Sequence, residues 1–268
     1  MPMYFNFTKV KSLDANEFRQ KVAAIEANPV HGWPVYVLSN HDIRRYVDRY
    51  SNGENKDQVA KLMSALYLTL RGSAIMYYGE EIGMENNDPK RVEDVKDVIG
   101  KKGWPKEIGR DGERTPMQWN SSVNSGFNKG ATPWLPVDAN YPTHNVASES
   151  QDPNSVLNWY RGLIKLRRSN PAFYSGSYVS LTDTDPNVMA YLRKSPTAQA
   201  VVILNFSAQP QMIALDSSKI GTSAATVLLS TDHQLKRVNL KKIQLAPYGV
   251  VIASVQENTK HSSARSKH

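Results

Sequence analysis

The chain has 268 residues, a net charge of +8 and no cysteine, so disulfides, thiolate metal sites and cysteine nucleophiles are excluded. Its composition, 40% hydrophobic and 22% charged, is that of an ordinary globular protein and not of a disordered or fibrous one. No run approaches about 18 apolar residues, so we expect no membrane span. The basic residues are dispersed and form no aromatic-interleaved stripe, so we expect neither a nucleic-acid partner nor a membrane partner.

The beginning of the chain alternates between short apolar runs and amphipathic stretches. In chain order, the pattern predicts a strand over 3–7, a helix over 15–27 capped by Asp14, a buried strand over 34–39, a helix over 57–70 and a second buried strand over 74–78. Buried strands that are joined by helices are typical of a parallel sheet with helices on its face.

Residues 84–153 are rich in Gly, Pro, Asn and Asp and show little periodicity. A stretch of this length inside a compact domain is usually functional. We interpret the charges of the segment 85–108 as solvated surface, with a loop that covers a site as the alternative. A helix over 154–169 follows and ends at Asn170-Pro171.

The last third of the chain changes to short alternating runs with turn residues between them. Seven strands are predicted, over 177–182, 188–193, 200–206, 211–215, 225–230, 241–245 and 249–254. This spacing is typical of a small antiparallel sandwich. We therefore predict an α/β part over 1–171, a β-sandwich over 172–256 and a disordered basic tail over 257–268.

The triplet Asn40-His41-Asp42 follows a predicted buried strand. Parallel α/β folds place their active sites at the carboxyl ends of their strands. Asp42 could stabilise a positive transition state there, while Asn40 and His41 could donate hydrogen bonds. A helix N-cap or a turn is an equally weighted alternative, because Asn and Asp serve both purposes.

A second candidate is Gly109–Trp119, which holds two arginines, two acids and a tryptophan within a long loop. Arginine forks bind carboxylates or vicinal hydroxyls with fixed geometry. The alternative is a loop held together by its own ion pairs, in which Arg114 is a strut while Arg110 points at a ligand.

The third candidate, Tyr77–Glu81, also follows a predicted strand. Its acids Glu80 and Glu81 could contact a substrate, but support of a loop is the favoured reading. The six histidines show no metal-ligand spacing, so we expect no metal and no cofactor.

Four motifs in order carry a family resemblance: Val37–Asp42, Tyr77–Met84, Gly109–Trp119 and Gly126–Val137. Together they resemble glycoside hydrolase family 13, the α-amylase family, and within it the α-glucosidase and oligo-1,6-glucosidase branch. The resemblance implies a (β/α)₈ barrel followed by a β-sandwich. The predicted strands 3–7, 35–39 and 74–78 would then be barrel strands six, seven and eight.

The resemblance also implies an activity, that of a retaining α-glucosidase acting on short α-glucosides such as maltose or isomaltose. Asp42 would be the third catalytic carboxylate, which stabilises the transition state. His41 and Arg110 would bind the same glucose, and Asn40, Glu80 and Arg114 would support the site. Hydrogen bonds to the 2-hydroxyl that tighten as the ring flattens suit an oxocarbenium-like transition state.

Barrel strands one to five have no counterpart in these motifs. In the family those strands carry the nucleophile, the general acid/base and the usual metal-binding loop. We therefore expect a chain that is inactive alone. We also expect it to be aggregation-prone, or to be paired with an equivalent partner chain, or to be a fragment of a longer product that supplies the missing N-terminal half of the barrel. The alternatives are an α-glucosyl transferase or sucrose isomerase, and a non-catalytic truncated member acting as a partner subunit. The absence of cysteine favours a cytoplasmic location.

Overall fold

The computed structural model describes residues 3–4, 7–27 and 32–255. Its first part is a parallel three-stranded sheet in the order β1-β2-β3, with helices in the connections. The elements are β1 Met3–Tyr4, α1 Ala15–Glu26, β2 Val35–Val37, α2 Tyr46–Tyr50, α3 Lys56–Thr69 and β3 Ser73–Ile75. A local signal explains where α1 begins, since the Asp14 carboxylate accepts hydrogen bonds from the Asn16 and Glu17 amides at 2.7 and 2.9 Å.

Two details of the predicted strands are wrong. The first described strand is only Met3–Tyr4, and Phe7 begins a 3₁₀ turn instead of ending a strand. The Phe7 ring packs against Phe18 and Tyr36, with centroids 5.3 and 5.0 Å away, and this contact turns the chain inward. Residues 5–6 of that prediction lie outside the described residues.

The prediction that the strand at 74–78 is buried is also wrong. Ile75 and Met76 are 41% and 40% exposed. Among the described residues, β3 pairs with β2 alone and its other edge has no partner. The strand therefore has the apolar composition of a buried strand but lacks a neighbour that would cover it.

The long middle segment contains short helices between loops, α4 Val98–Gly103 and α5 Val146–Gln151. The predicted helix over 154–169 is confirmed as α6 Val156–Ser169, and α7 Pro171–Tyr174 follows. Proline at the first position of α7 suits a helix start, because its missing N–H would have no partner there.

The last third is antiparallel, with a six-stranded sheet ordered β4-β5-β6-β11-β8-β9 and a two-stranded sheet β10-β7. The elements are β4 Ser177–Ser180, β5 Val188–Lys194, β6 Gln199–Asn205, β7 Gln211–Ile213, α8 Ser217–Ile220, β8 Ala224–Ser230, β9 Arg237–Asn239, β10 Ile243–Leu245 and β11 Val250–Val255. All seven predicted strands are present. Sequence reasoning missed β9, which holds a single buried apolar residue, Val238, between two exposed polar ones.

The six-stranded sheet has two buried faces. One face contributes Val201 and Ile203 to a core shared with the two-stranded sheet. The other contributes Val202 and Leu204 to the core that contains α1, α3 and α6. One continuous core therefore crosses the predicted boundary at 171/172, and that boundary stays a prediction. The predicted tail at 257–268 lies outside the described residues.

Candidate active site

The triplet Asn40-His41-Asp42 forms a tight turn just beyond the carboxyl end of β2. The Asn40 side-chain oxygen accepts the Asp42 amide at 2.8 Å, and the Ile43 amide donates to the Asn40 carbonyl at 3.3 Å. This Asx-type turn fixes the backbone and leaves the side chains of His41 and Asp42 projecting outward, 68% and 47% exposed. The turn reading of the triplet is therefore confirmed, since the asparagine builds a turn that presents the carboxylate. The functional reading stays a prediction.

Two guanidinium groups hold one oxygen of the Asp42 carboxylate. Arg110 Nη1 lies 2.6 Å from Asp42 Oδ1, and Arg114 Nη2 lies 3.1 Å from the same atom. The other oxygen, Oδ2, has His41 Nε2 at 3.4 Å. One edge of the carboxylate is thus anchored, while the other remains open to an incoming hydroxyl group.

The protonation state of Asp42 follows from these neighbours. Partial desolvation raises the pKa of the carboxyl, but the hydrogen bond from Arg110 and the charges of His41, Arg110 and Arg114 outweigh it, and the net pKa is lowered. Asp42 is therefore a carboxylate at neutral pH. An ionised group in this position can attract developing positive charge and accept hydrogen bonds.

Arg110 is held from behind by Asp97. Arg110 Nε donates to Asp97 Oδ2 at 2.8 Å and Nη2 donates to Oδ1 at 3.2 Å, which is a two-point contact. The hydrogen bond from Arg110 drives the pKa of Asp97 far below its ordinary value, and desolvation opposes this only in part. The side chain of Asp97 is 4% exposed. The interpretation of all the 85–108 charges as solvated surface is thus wrong at Asp97.

The second arginine of the motif, Arg114, also reaches the triplet. Its Nε donates to the His41 carbonyl at 2.7 Å, in addition to the contact of Nη2 with Asp42. Among the described residues, neither Arg110 nor Arg114 forms an ion pair with the acids of its own motif. The alternative of a self-paired loop is therefore wrong, since both guanidiniums cross to the end of β2.

Glu80 lies beneath this constellation and is fully buried. Its carboxylate accepts the Ser39 hydroxyl at 2.6 Å and the Tyr77 amide at 3.2 Å, which links the segments that follow β2 and β3. Desolvation raises the pKa of Glu80 to about 7, although these hydrogen bonds favour the charged form. Glu80 faces Ser39 and Tyr77 and does not project with Asp42.

Sequence reasoning missed Arg45, a buried cation beneath the site. Its Nη1 donates to the Tyr78 carbonyl at 2.7 Å and its Nη2 to the Glu113 carbonyl at 3.0 Å. The guanidinium carbon lies 5.0 Å from the ring centroids of both Tyr77 and Tyr78. Arg45 thereby joins the end of β3 to the arginine motif. No sequence signal identifies it, because its partners are carbonyls and rings from distant segments.

The structure therefore brings together Asn40, His41, Asp42, Arg110 and Arg114 at one end of the parallel sheet. The chemical roles of these residues stay predictions. In the part of the chain that the structure describes, no group of three or more His, Asp or Glu side chains could hold a metal ion. No described helix has both the length and the apolarity needed to cross a bilayer.

Comparison with protein families decides the relationship. Residues 3–176 match the model of the alpha amylase catalytic domain. The chain belongs to the α-amylase family. Residues 188–252 match the model of the α-amylase SusG C-terminal domain, which agrees with the antiparallel sheets described above.

Two relatives within the α-amylase family are an oligo-1,6-glucosidase and a probable oligo-1,6-glucosidase. The chain is 35% identical over 240 residues to the probable oligo-1,6-glucosidase 2 of Bacillus subtilis, a match that covers 82% of this chain and 42% of that protein. It is 34% identical over 235 residues to the oligo-1,6-glucosidase of Parageobacillus thermoglucosidasius, with 81% and 42% covered. The matches fall on the C-terminal part of these α-amylase family members.

Solved structures of α-amylase family enzymes also superpose on this chain. Trehalose-6-phosphate hydrolase from Bacillus licheniformis superposes with a TM-score of 0.84 at 27% identity, over 95% of this chain and 51% of that one. Isomaltulose synthase from Klebsiella sp. LX3 also gives 0.84, at 26% identity, with 95% and 50% covered. The chain thus spans about half the length of the relatives it matches, and its parallel strands are the C-terminal part of a (β/α)₈ barrel.

Proposed function

We propose that this chain supplies the transition-state-stabilising part of a retaining α-glucosidase site. One observation carries the proposal: the carboxylate of Asp42 is anchored through one oxygen by Arg110 and Arg114 and is open at the other. Glycosidic bond cleavage develops positive charge on the sugar ring, and a fixed carboxylate that binds adjacent hydroxyl groups stabilises that charge.

The neighbours of Asp42 suit a neutral sugar that carries vicinal hydroxyl groups. The ring nitrogens of His41 can form hydrogen bonds with hydroxyl groups, and the exposed edge of Arg110 offers further N–H donors. Asp42 Oδ2 supplies an acceptor between them. We assign these three side chains to the 2- and 3-hydroxyls of the glucose whose bond is cleaved.

The nucleophile and the general acid/base must come from another half of the barrel. Retaining glycosidases place those two carboxyl groups about 5 Å apart on either side of the bond. The other carboxylates near Asp42 are already engaged: Asp97 by Arg110, and Glu80 by Ser39. We therefore propose that catalysis needs an N-terminal half-barrel, and that the isolated chain does not hydrolyse glucosides.

The surface for that half-barrel is the open sheet. Among the described residues, β1 and β3 each pair with β2 alone, so that both outer edges are free. Exposed Ile75 and Met76 border the edge of β3 and would be covered by a further parallel strand. Covering these side chains would remove the edge that favours aggregation.

A chimera tests the proposed function. This chain replaces the C-terminal part of the Bacillus subtilis relative, joined to the N-terminal part of that protein, which the match leaves uncovered. We expect release of p-nitrophenol from p-nitrophenyl α-D-glucoside, and its loss in Asp42→Asn. A folded chimera without hydrolysis would contradict the proposal and favour the non-catalytic alternative.

The transferase alternative has its own support, because isomaltulose synthase matches the fold as well as the hydrolase does. Hydrolysis is favoured, since the curated relatives at 34 and 35% identity are glucosidases. Incubation of the chimera with sucrose separates the two: an isomerase yields an isomeric disaccharide, whereas a glucosidase yields free glucose.

A further inference from the structure

The segment from Asp97 to Asp111 is closed at its base by two aspartates, each of which accepts a backbone amide from the other end of the segment. The Asp97 carboxylate accepts the Arg110 amide at 3.0 Å. The Asp111 carboxylate accepts the Lys96 amide at 2.6 Å and the Asp97 amide at 3.1 Å. We call these two aspartates the reciprocal clasp. It brings the two ends of the α4 excursion into contact, directly behind Arg110.

Gly109 allows the close approach that the clasp needs. Its φ is +81°, and a Cβ at this position would lie 3.0 Å from both the Cβ of Asp97 and the backbone nitrogen of Gly100. A side chain here would therefore meet both unfavourable backbone geometry and crowding. The backbone path of the segment is thus shaped around Asp97.

The clasp determines which edge of Arg110 faces the site. Nε and Nη2 are both directed to Asp97, so that the guanidinium plane is fixed and only Nη1 extends to Asp42. Asp97 also balances the charge of one of the two guanidiniums over Asp42. We propose that Asp97 is a positioning residue that holds Arg110 in the orientation required to anchor Asp42 and to meet the sugar.

This inference rests on the proposed function for its role in catalysis, but its structural content can be tested without substrate. The test is a titration of the Asp42 carboxyl carbon by ¹³C NMR in the full chain, with Asp42→Asn used for assignment. The groups that face this carboxyl are His41, Arg110 and Arg114. The outcome is therefore independent of whether the chain takes part in glycoside hydrolysis.

Positioning and simple electrostatics predict opposite signs for Asp97→Ala. If Asp97 positions Arg110, its loss removes the hydrogen bond from Arg110 to Asp42, and the titration midpoint of Asp42 rises toward the ordinary aspartate range. If Arg110 reaches Asp42 without help, the loss of a nearby negative charge leaves the midpoint unchanged or lowers it. The second result would overturn the proposal.

Two further variants keep the test decisive. Asp94→Ala removes an exposed acid of the same loop. Asp94 pairs with Arg91 and not with Arg110, so we expect no rise in the titration midpoint of Asp42. Asp97→Asn keeps an acceptor oxygen for Nε, so the titration midpoint of Asp42 in this variant should lie between those in wild type and in Asp97→Ala. If amide spectra show that Asp97→Ala unfolds the loop, Asp97→Asn decides: a rise supports positioning, and no rise refutes it.

Discussion

Arg110 Nη1 lies 2.6 Å from Asp42 Oδ1, although 68 positions separate the two residues in the chain. The same guanidinium binds Asp97 through Nε and Nη2, so that one side chain connects two carboxylates. Only the planar fork of arginine can do this, because lysine offers a single point charge. The arrangement therefore predicts that charge alone does not suffice at position 110.

In the chimera, we expect Arg110→Lys to lower kcat/KM for p-nitrophenyl α-D-glucoside by about 10- to 100-fold. The lysine cannot bind Asp97 at two points and reach Asp42 at the same time. Arg91→Lys is the matched control, since Arg91 pairs with Asp94 at the surface and should leave the rate unchanged. Equal kcat/KM in Arg110→Lys and wild type would show that the fork has no role.

Glu149 makes the free energy of unfolding depend on pH. Its Oε2 accepts the Leu157 amide at 2.9 Å, while the buried Oε1 has no hydrogen-bond partner among the described residues. Desolvation raises the pKa of Glu149 to about 7. A pKa that is higher in the folded than in the unfolded chain means that ionisation lowers stability as pH rises through this range.

We therefore expect the free energy of unfolding of Glu149→Gln, relative to that of wild type, to rise by about 2 kcal/mol between pH 5 and pH 8. The amide keeps the acceptor for Leu157 and carries no charge. Urea unfolding at both pH values measures the difference, with the exposed Glu93→Gln as the control that shows no trend. A difference between Glu149→Gln and wild type that stays constant with pH would refute the assignment.

Arg193 ties the six-stranded sheet to the barrel part. It is fully buried and donates to the carbonyls of Ser177 at 3.1 Å and Gly176 at 2.7 Å, and to those of Phe173 and Thr69. We expect Arg193→Met to lower the free energy of unfolding by about 3 to 5 kcal/mol, because buried acceptors lose their donors.

Urea unfolding, followed by near-ultraviolet circular dichroism, measures this loss. The control is Arg237→Met, an exposed arginine on β9 whose replacement should change stability by no more than about 0.5 kcal/mol. Equal stability of Arg193→Met and wild type would mean that the carbonyls find other donors.

The exposed side chains at the edge of β3 predict self-association of the isolated chain. The double variant Ile75→Glu/Met76→Glu should shift the chain from large species toward monomer in light scattering, because charges at a sheet edge oppose edge-to-edge pairing. Val98→Glu is the control, since Val98 is 60% exposed and belongs to α4, not to a strand. A wild-type chain that is already monomeric would contradict this prediction.

The sequence by itself determined the local elements and the family. Asp14 caps α1 through contacts within three residues, and such short-range signals can be read from the sequence. The motifs around Asp42 and Arg110 identified the α-amylase family, and both residues indeed lie together. Periodicity also gave seven of the eight described antiparallel strands, and in the six-stranded sheet alternate side chains face two buried layers.

Only the tertiary structure decided how these pieces act on one another. It joined Asp97 to Arg110 and Arg110 to Asp42, and it buried Arg45 among carbonyls and rings. It also left Ile75 exposed, although its strand has the composition of a buried one. The physical reason is the same in each case. The burial and pairing of a side chain depend on which distant segment packs against it, and a local sequence pattern does not specify that segment.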